Sequence, residues 1–169
     1  METKIVDKTS IILAGMSFYG DPFDSSDAWS EENQIGCLWQ RLMTYLERHQ
    51  DSLQGDMQQG ASYEVHIYGP ETETKGLFEV FVGLRISEVE NVPFDLTIKV
   101  LPAATYAVFT LTGKRIIEDW EKEMKVWLEQ QGYREAYPYN FQYYDARFKG
   151  MDRINESQID VYIPIEKAA

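Results

Sequence analysis

Cysteine is nearly absent from this chain: Cys37 is the only one in 169 residues. A lone thiol cannot close a disulfide within the chain, which excludes a disulfide-stapled scaffold and fits a reducing compartment. Histidine is almost as scarce, with only His49 and His66. Two histidines without cysteine partners do not make a zinc site, so neither a metal nor another cofactor is expected. Basic residues are outnumbered, 16 Lys and Arg against 28 Asp and Glu, for a net charge of −12. They form no run; pairs such as Lys114-Arg115 are too small to neutralise a phosphate backbone, which argues against nucleic acid as a partner. No stretch approaches the ~18 apolar residues that a membrane helix needs. The opening Met1-Glu-Thr-Lys-Ile has no apolar core of a signal peptide. The expected location is therefore cytoplasmic, with no membrane partner. Phosphate-binding glycine loops, nucleophile elbows and CxxC pairs are also missing.

Aromatic rings are what the chain has in excess: 11 Tyr, 8 Phe and 4 Trp, or 14% of residues. Such rings suit a tight core or a ligand pocket, and composition alone does not separate the two. Hydrophobic residues at 44% and charged residues at 26% are an ordinary globular mix. A chain of this length suits one domain and buries about 70% of its unfolded surface, enough for a proper core. Cys37 reads as a small packing residue beside Leu38 and Trp39. The acidic field favours solubility and cationic partners.

Periodicity gives the organisation. Ser10 to Tyr19 reads as a strand ending at the turn Gly20-Asp21-Pro22. After an acidic loop carrying Phe23 and Trp29, residues Ile35, Leu38, Trp39, Leu42, Tyr45 and Leu46 recur at helical spacing, with Ser30 as the expected start. Tyr63 to Tyr68 and Leu77 to Ile86 alternate as strands and are joined by the Gly69-Pro70 to Gly76 loop, so they should pair antiparallel. The order then recurs. Leu96 to Val100 and Thr105 to Leu111 are strands, and Ile117, Trp120, Met124, Trp127 and Leu128 mark a helix stopping at Gly132. Phe141 to Phe148 and Ile159 to Ile165 are two more strands. This predicts an α+β fold of duplicated β-α-β-β halves, about 4–88 and 94–166, forming antiparallel sheet with two helices. A pocket is expected at the seam where the halves share a core.

The segments Tyr63-Glu-Val-His-Ile67, Phe78-Glu-Val-Phe-Val-Gly83 and Leu101-Pro-Ala-Ala-Thr-Tyr-Ala-Val-Phe109 resemble the GyrI-like, or AraC-type effector-binding, domain family. So do Tyr144-Asp-Ala-Arg-Phe-Lys-Gly150 and Ser157-Gln-Ile-Asp-Val-Tyr-Ile-Pro-Ile165. The resemblance runs from about Lys4 to Ile165. It implies a duplicated fold with a pocket along a pseudo-twofold axis, taking drug-like cationic and aromatic compounds against a buried acid and several rings. Relatives fused to DNA-binding domains act as sensors; others stand alone, some resembling hydrolases that open cyclopropane-bearing natural products. The length of this chain is taken up by the ligand module, so no DNA-reading part is expected within it. One departure stands out: many relatives carry Glu where this chain has Gln142, and glutamine neither balances a cation nor takes a proton. Glu64 is the natural substitute, because Tyr63-Glu64-Val65 occupies in the first half the place of Phe141-Gln142-Tyr143 in the second.

Strand alternation sorts the candidates. If Tyr63, Val65 and Ile67 face the helices, Glu64, His66 and Tyr68 share the other face, and by the same rule so do Glu79 with Phe81, Gln142 with Tyr144, and Asp160 with Tyr162. Acids and rings on one face suit a cationic aromatic ligand, although a sheet with one face in water alternates similarly. The expected ligand-binding residues are Glu64, His66, Tyr68, Glu79, Phe81, Trp39, Gln142, Tyr144, Tyr162 and Trp29. Trp39 and Trp120 serve the core first, and Phe23 and Trp29 could cover the cleft. The favoured role is capture of an amphipathic, cationic or aromatic small molecule, for sensing or sequestration. The rival is a hydrolase in which Glu64 or Glu79 activates water with Tyr68, Tyr144 or Tyr162 as donor. A third role, binding a macromolecule such as a topoisomerase, is implied by the family and finds no support in the residues. Monomer and homodimer are both open.

Overall fold

The computed structural model describes residues 2–23, 33–49, 60–90 and 92–168. Its strands are β1 (Glu2–Lys8), β2 (Ile11–Gly20), β3 (Ser62–Tyr68), β4 (Phe78–Arg85), β5 (Thr97–Leu101), β6 (Ala104–Thr112), β7 (Tyr133–Glu135), β8 (Tyr139–Tyr144) and β9 (Gln158–Lys167). The helices are α1 (Gln34–Arg48), the single-turn α2 (Thr72–Lys75) and α3 (Glu121–Gln130). All pairings are antiparallel. The fold is α+β, as expected.

Strand order is β1-β6-β9-β8-β3-β4-β2-β5, with β7 added beside β9. This order is symmetric: β3 and β8 meet at its centre, β4 and β9 flank them, and β2 and β6 follow. The outermost strands are exchanged, since β1 pairs with β6 of the second half and β5 with β2 of the first. The repeat therefore has one more strand than the sequence reading assigned. Its first copy, β1, was missed because Glu2–Lys8 is too polar to carry a clear alternation.

Those exchanged strands force the sheet to roll. β5 and β6 stand six strand spacings apart in the order, about 29 Å on a flat sheet. Only Pro102 and Ala103 join them, a reach of about 11 Å between strand ends. β1 and β2 are linked as tightly by Thr9 and Ser10 across the same separation. The rolled face encloses an aromatic interior that includes Leu13, Tyr63, Phe81, Tyr106, Phe141 and Tyr162. Phe141 and Tyr162 stack there at 4.5 Å.

Both long helices cover the other face. α1 packs Ile35, Leu38 and Leu42 on Val80 and Val82, and α3 packs Met124 and Leu128 on Phe109, Val161 and Ile163. Several expected boundaries move. Asn33 caps α1, its side-chain oxygen accepting from Gly36 N at 2.9 Å; Ser30 lies outside the described residues. The apolar stripe of α3 persists, but the helix begins at Glu121, because a 3-10 turn over Gly113–Ile117 buries Ile116 and leaves Ile117 at the surface. β8 ends at Tyr144 because Asp145 turns the chain, its carboxylate accepting from both the backbone and the guanidinium of Arg147. Gly76, at φ 70°, closes α2 in the left-handed region.

β2 and β4 approach closely at Gly15 and Gly83, which face each other in register. A Cβ on Gly15 would lie 1.9 Å from the Val82 carbonyl oxygen, with backbone that cannot swing aside. Gly15→Ala should cost on the order of 3 kcal/mol, by analogy with severe overpacking. That corresponds to a Tm lower by roughly 6–12 °C in a thermal melt. Gly69→Ala, with nothing within 4 Å of its new Cβ, should shift Tm by far less.

Candidate functional site

Cross-strand partners share a face. β3 is registered with Val82 opposite Glu64, Val80 opposite His66 and Phe78 opposite Tyr68. Since Val80 and Val82 lie under α1, Glu64, His66 and Tyr68 lie on the helix side of the sheet. The alternation grouped these three correctly; the side it assigned them is reversed. The reason is that both faces of the rolled sheet are buried, so polarity along β3 does not report solvent.

Glu64 and Gln142 face each other across the central β3–β8 pair. Glu64 is fully buried, a position a carboxylate occupies only when its lone pairs are met. Three donors meet them. Trp39 Nε1 donates from α1 to Oε2 at 2.6 Å. His66 Nε2 lies 2.8 Å from Oε1, which assigns its proton to that nitrogen, and Gln142 Nε2 reaches the same oxygen at 3.3 Å. Tyr144 then donates to Gln142 Oε1 at 2.7 Å, and its ring meets Trp39 edge-on at 5.5 Å. This explains the glutamine. A second carboxylate at 142 would face Glu64 and force one of the two to stay protonated, whereas the amide donates. Burial, reinforced by the Glu64 charge, pushes the Tyr144 hydroxyl well above the ordinary tyrosine range.

These groups form the floor of a hollow of about 680 Å³ between the helices. Its apolar walls include Ile35, Phe78, Ile116 and Trp120, with Phe23 at the edge. Its rim carries Asp21, Glu118, Asp119 and Glu121. Among the described residues, no Lys or Arg lines it. Tyr68 donates to Glu121 at 2.7 Å, joining β3 to the start of α3, and its hydroxyl is raised by burial and then by the Glu121 charge. A volume of this size suits a drug-sized molecule, and the field inside it is negative.

Of the expected site residues, Glu64, His66, Tyr68, Gln142 and Tyr144 line the hollow, and Trp39 reaches it through Glu64. Glu79, Phe81 and Tyr162 do not. They lie on the opposite face, where Glu79 pairs with Lys99 at 2.8 Å and Phe81 and Tyr162 belong to the interior cluster. Alternation put these three on the face away from the helices, as the structure does; it is β3 and β8 that were phased the wrong way, because the register of Glu64 with Val82 and of Gln142 with Val161 turns their polar face toward the helices and away from Glu79, Phe81 and Tyr162. Trp29 lies outside the described residues. The rim acids were missed, although the run Glu118-Asp119 just ahead of α3 was a visible signal.

This arrangement, a symmetric rolled sheet with two helices over a hollow floored by an acid at its central strand pair, is that of an effector-binding module. Residues 4–165 match the family described as integron-associated effector binding protein, and the chain belongs to that family. The transcriptional regulator BrlR of Pseudomonas aeruginosa is 30% identical over 168 residues, covering 98% of this chain and 56% of that protein. The chain thus spans about half the length of that curated relative. Among solved structures, SAV2435 bound to tetraphenylphosphonium superposes with a TM-score of 0.69 at 16% identity, over 98% of this chain and 94% of the other. An integron cassette protein from the mobile metagenome of Vibrio cholerae gives a TM-score of 0.58 at 16% identity, over 97% and 95%. At such identities the likeness shows a shared fold. No helix among the described residues is long and apolar enough to cross a membrane.

Two outcomes follow from the floor of the site. Trp39→Phe keeps most of the ring but removes one donor from a buried carboxylate, and should lower unfolding free energy by about 2 kcal/mol in a denaturant titration. Tyr63 and Tyr162 are pushed up to about 12, mainly by burial, and burial raises Tyr68 and Tyr144 as well. A raised folded-state pKa stabilises the protein below the unfolded value of 10.0 and loses that contribution as pH rises toward the folded value. Stability should therefore fall above pH 10, and tyrosinate absorbance should appear in two phases, the second coinciding with unfolding.

Proposed function

We propose that this chain binds a bulky, lipophilic, aromatic cation in the hollow, as the ligand-sensing or sequestering module of residues 4–165, built from halves of about 4–88 and 94–166. The observation that carries this reading is the Glu64 carboxyl group, wholly buried at the floor of a ring-lined hollow that, among the described residues, has no Lys or Arg, with His66 as its one imidazole neighbour. Hydrogen bonds satisfy its lone pairs and leave its charge in place. A cation with diffuse charge and little hydration to lose supplies a countercharge at small desolvation cost. Each ring face adds ~0.5–2 kcal/mol toward such a cation. Tetraphenylphosphonium, bound in the SAV2435 structure, has this chemistry.

The hydrolase reading asks Glu64 to take a proton from water. Its oxygens already accept three hydrogen bonds, and the Tyr144 proton is committed to Gln142. These commitments suit holding a charge rather than moving a proton. Glu79, the other candidate base, is paired with Lys99 away from the hollow.

Tryptophan fluorescence titrated with tetraphenylphosphonium should show saturable quenching, since Trp39 and Trp120 border the site. Glu64→Gln should weaken binding about tenfold or more while leaving the fold intact by circular dichroism. Neutral triphenylphosphine oxide should bind the wild type and the variant alike. Equal affinity of both proteins for the cation would sink the proposal. Turnover of a cyclopropane-bearing alkylator, lost in Glu64→Gln with binding retained, would favour the hydrolase instead.

A further inference from the structure

The face of the rolled sheet turned away from the helices gathers unpaired positive charge, in a chain whose net charge is −12. Among the described residues Lys4, Lys8 and Arg85 make no ion pair and no hydrogen bond. Arg85 lies two residues beyond Gly83, the partner of Tyr63, and opposite Leu13 of the interior cluster, so it shares the face of Tyr63. Lys8 reaches over the ring of Tyr162, its Nζ 5.0 Å from the ring centre. Burial, and then the charges of Arg85 and Lys4, hold the Lys8 ammonium below the ordinary lysine value. Asp160 offsets this in part, but its carboxylate is already engaged: Arg147 donates to it at 2.7 Å and Thr110 at 2.7 Å.

Three phenol hydroxyls meet these cations. Tyr63 and Tyr143 are cross-strand partners with rings 5.3 Å apart, and Tyr143 touches Tyr162 edge-on at 6.3 Å. Their hydroxyls hydrogen-bond to nothing among the described residues. The enclosed side-chain atoms without a partner are Asn33 Nδ2 and Asn140 Oδ1 among those residues, so the three hydroxyls are open to solvent. Burial of the rings raises all three above the ordinary tyrosine value, and each keeps its proton at neutral pH. The charge of Arg85 acts on the hydroxyls of Tyr63 and Tyr143, which places its guanidinium close to both. Donors and positive charge therefore converge here, the reverse of the hollow on the helix side.

We propose that this end of the rolled face binds the phosphate group of a small phosphate monoester, with Arg85 and Lys8 taking its oxygens and the Tyr63 and Tyr143 hydroxyls donating beside them. A guanidinium fork matches two phosphate oxygens, and an ammonium serves as a point charge for a third. A monoester carries about −1.5 to −2 at pH 7, which suits several unpaired cations better than the single charge of a carboxylate. Three cations cover one phosphate rather than a run of them, so the ligand is a small molecule. This site stands independently of the cation site, since the two lie on opposite faces of one sheet.

Isothermal titration calorimetry of the full chain at pH 7 and low ionic strength tests this with phenyl phosphate, inorganic phosphate and benzoate. Phenyl phosphate should bind the wild type saturably, and benzoate, a monoanion on the same ring, about tenfold or more weakly. Arg85→Gln should weaken phenyl phosphate about tenfold or more, the scale of one hydrogen-bonded charge. Tyr63→Phe, which keeps the ring, should weaken it by a few-fold. Lys122→Gln, an equal loss of charge on α3 across the sheet, should leave it unchanged, as should Glu64→Gln, so this test and that of the cation site fail separately. Absence of binding by the wild type overturns the proposal. So does an Arg85→Gln loss no larger than that of Lys122→Gln, which would mark diffuse attraction only, and so does benzoate binding as tightly as phenyl phosphate. Inorganic phosphate binding as tightly as the ester overturns the ester in favour of the free ion.

Discussion

A single buried charge organises the middle of this protein. The Glu64 carboxylate sits where the two halves meet, with Gln142 directly opposite and Trp39 reaching down from α1. An ionised group in that position is tolerated only if every nearby donor is aimed at it, so α1, β3 and β8 are held in one register by a common need. Tyr144 extends the network to the far side through Gln142. The cluster fixes geometry more than it adds stability, since a desolvated carboxylate sits near break-even even when its donors are all in place. That near-balance is what leaves the site receptive to an external cation.

The rolled sheet is what allows such a floor to exist. Two-residue links tie strands from opposite ends of the order, and the curl they impose gives the sheet a closed aromatic interior on one side. With that interior carrying the packing, the helix side need not close completely between α1 and α3. The hollow occupies the gap. Helices over each half pack on Val80 and Val82 or on Val161 and Ile163, leaving the central strands exposed to the cavity.

Much of this was legible in the residues. Alternation in Tyr63–Tyr68 grouped Glu64, His66 and Tyr68 together, and the paired places of Tyr63-Glu64-Val65 and Phe141-Gln142-Tyr143 pointed to Glu64 as the acid standing in for position 142. The phase of β3 and β8 relative to β4 and β9 was not legible, and Glu79, Phe81 and Tyr162 were grouped with Glu64 and Gln142, which lie on the opposite face, for that reason.

The order of strands and helices, the repeat and the acidic balance follow from local pattern, because periodicity and charge are properties of the chain itself. Which face is covered, which edge strands are exchanged, and which acids surround the hollow depend on register and roll. Those are set by contacts between residues as far apart as Glu64 and Gln142, and no window along the sequence contains both.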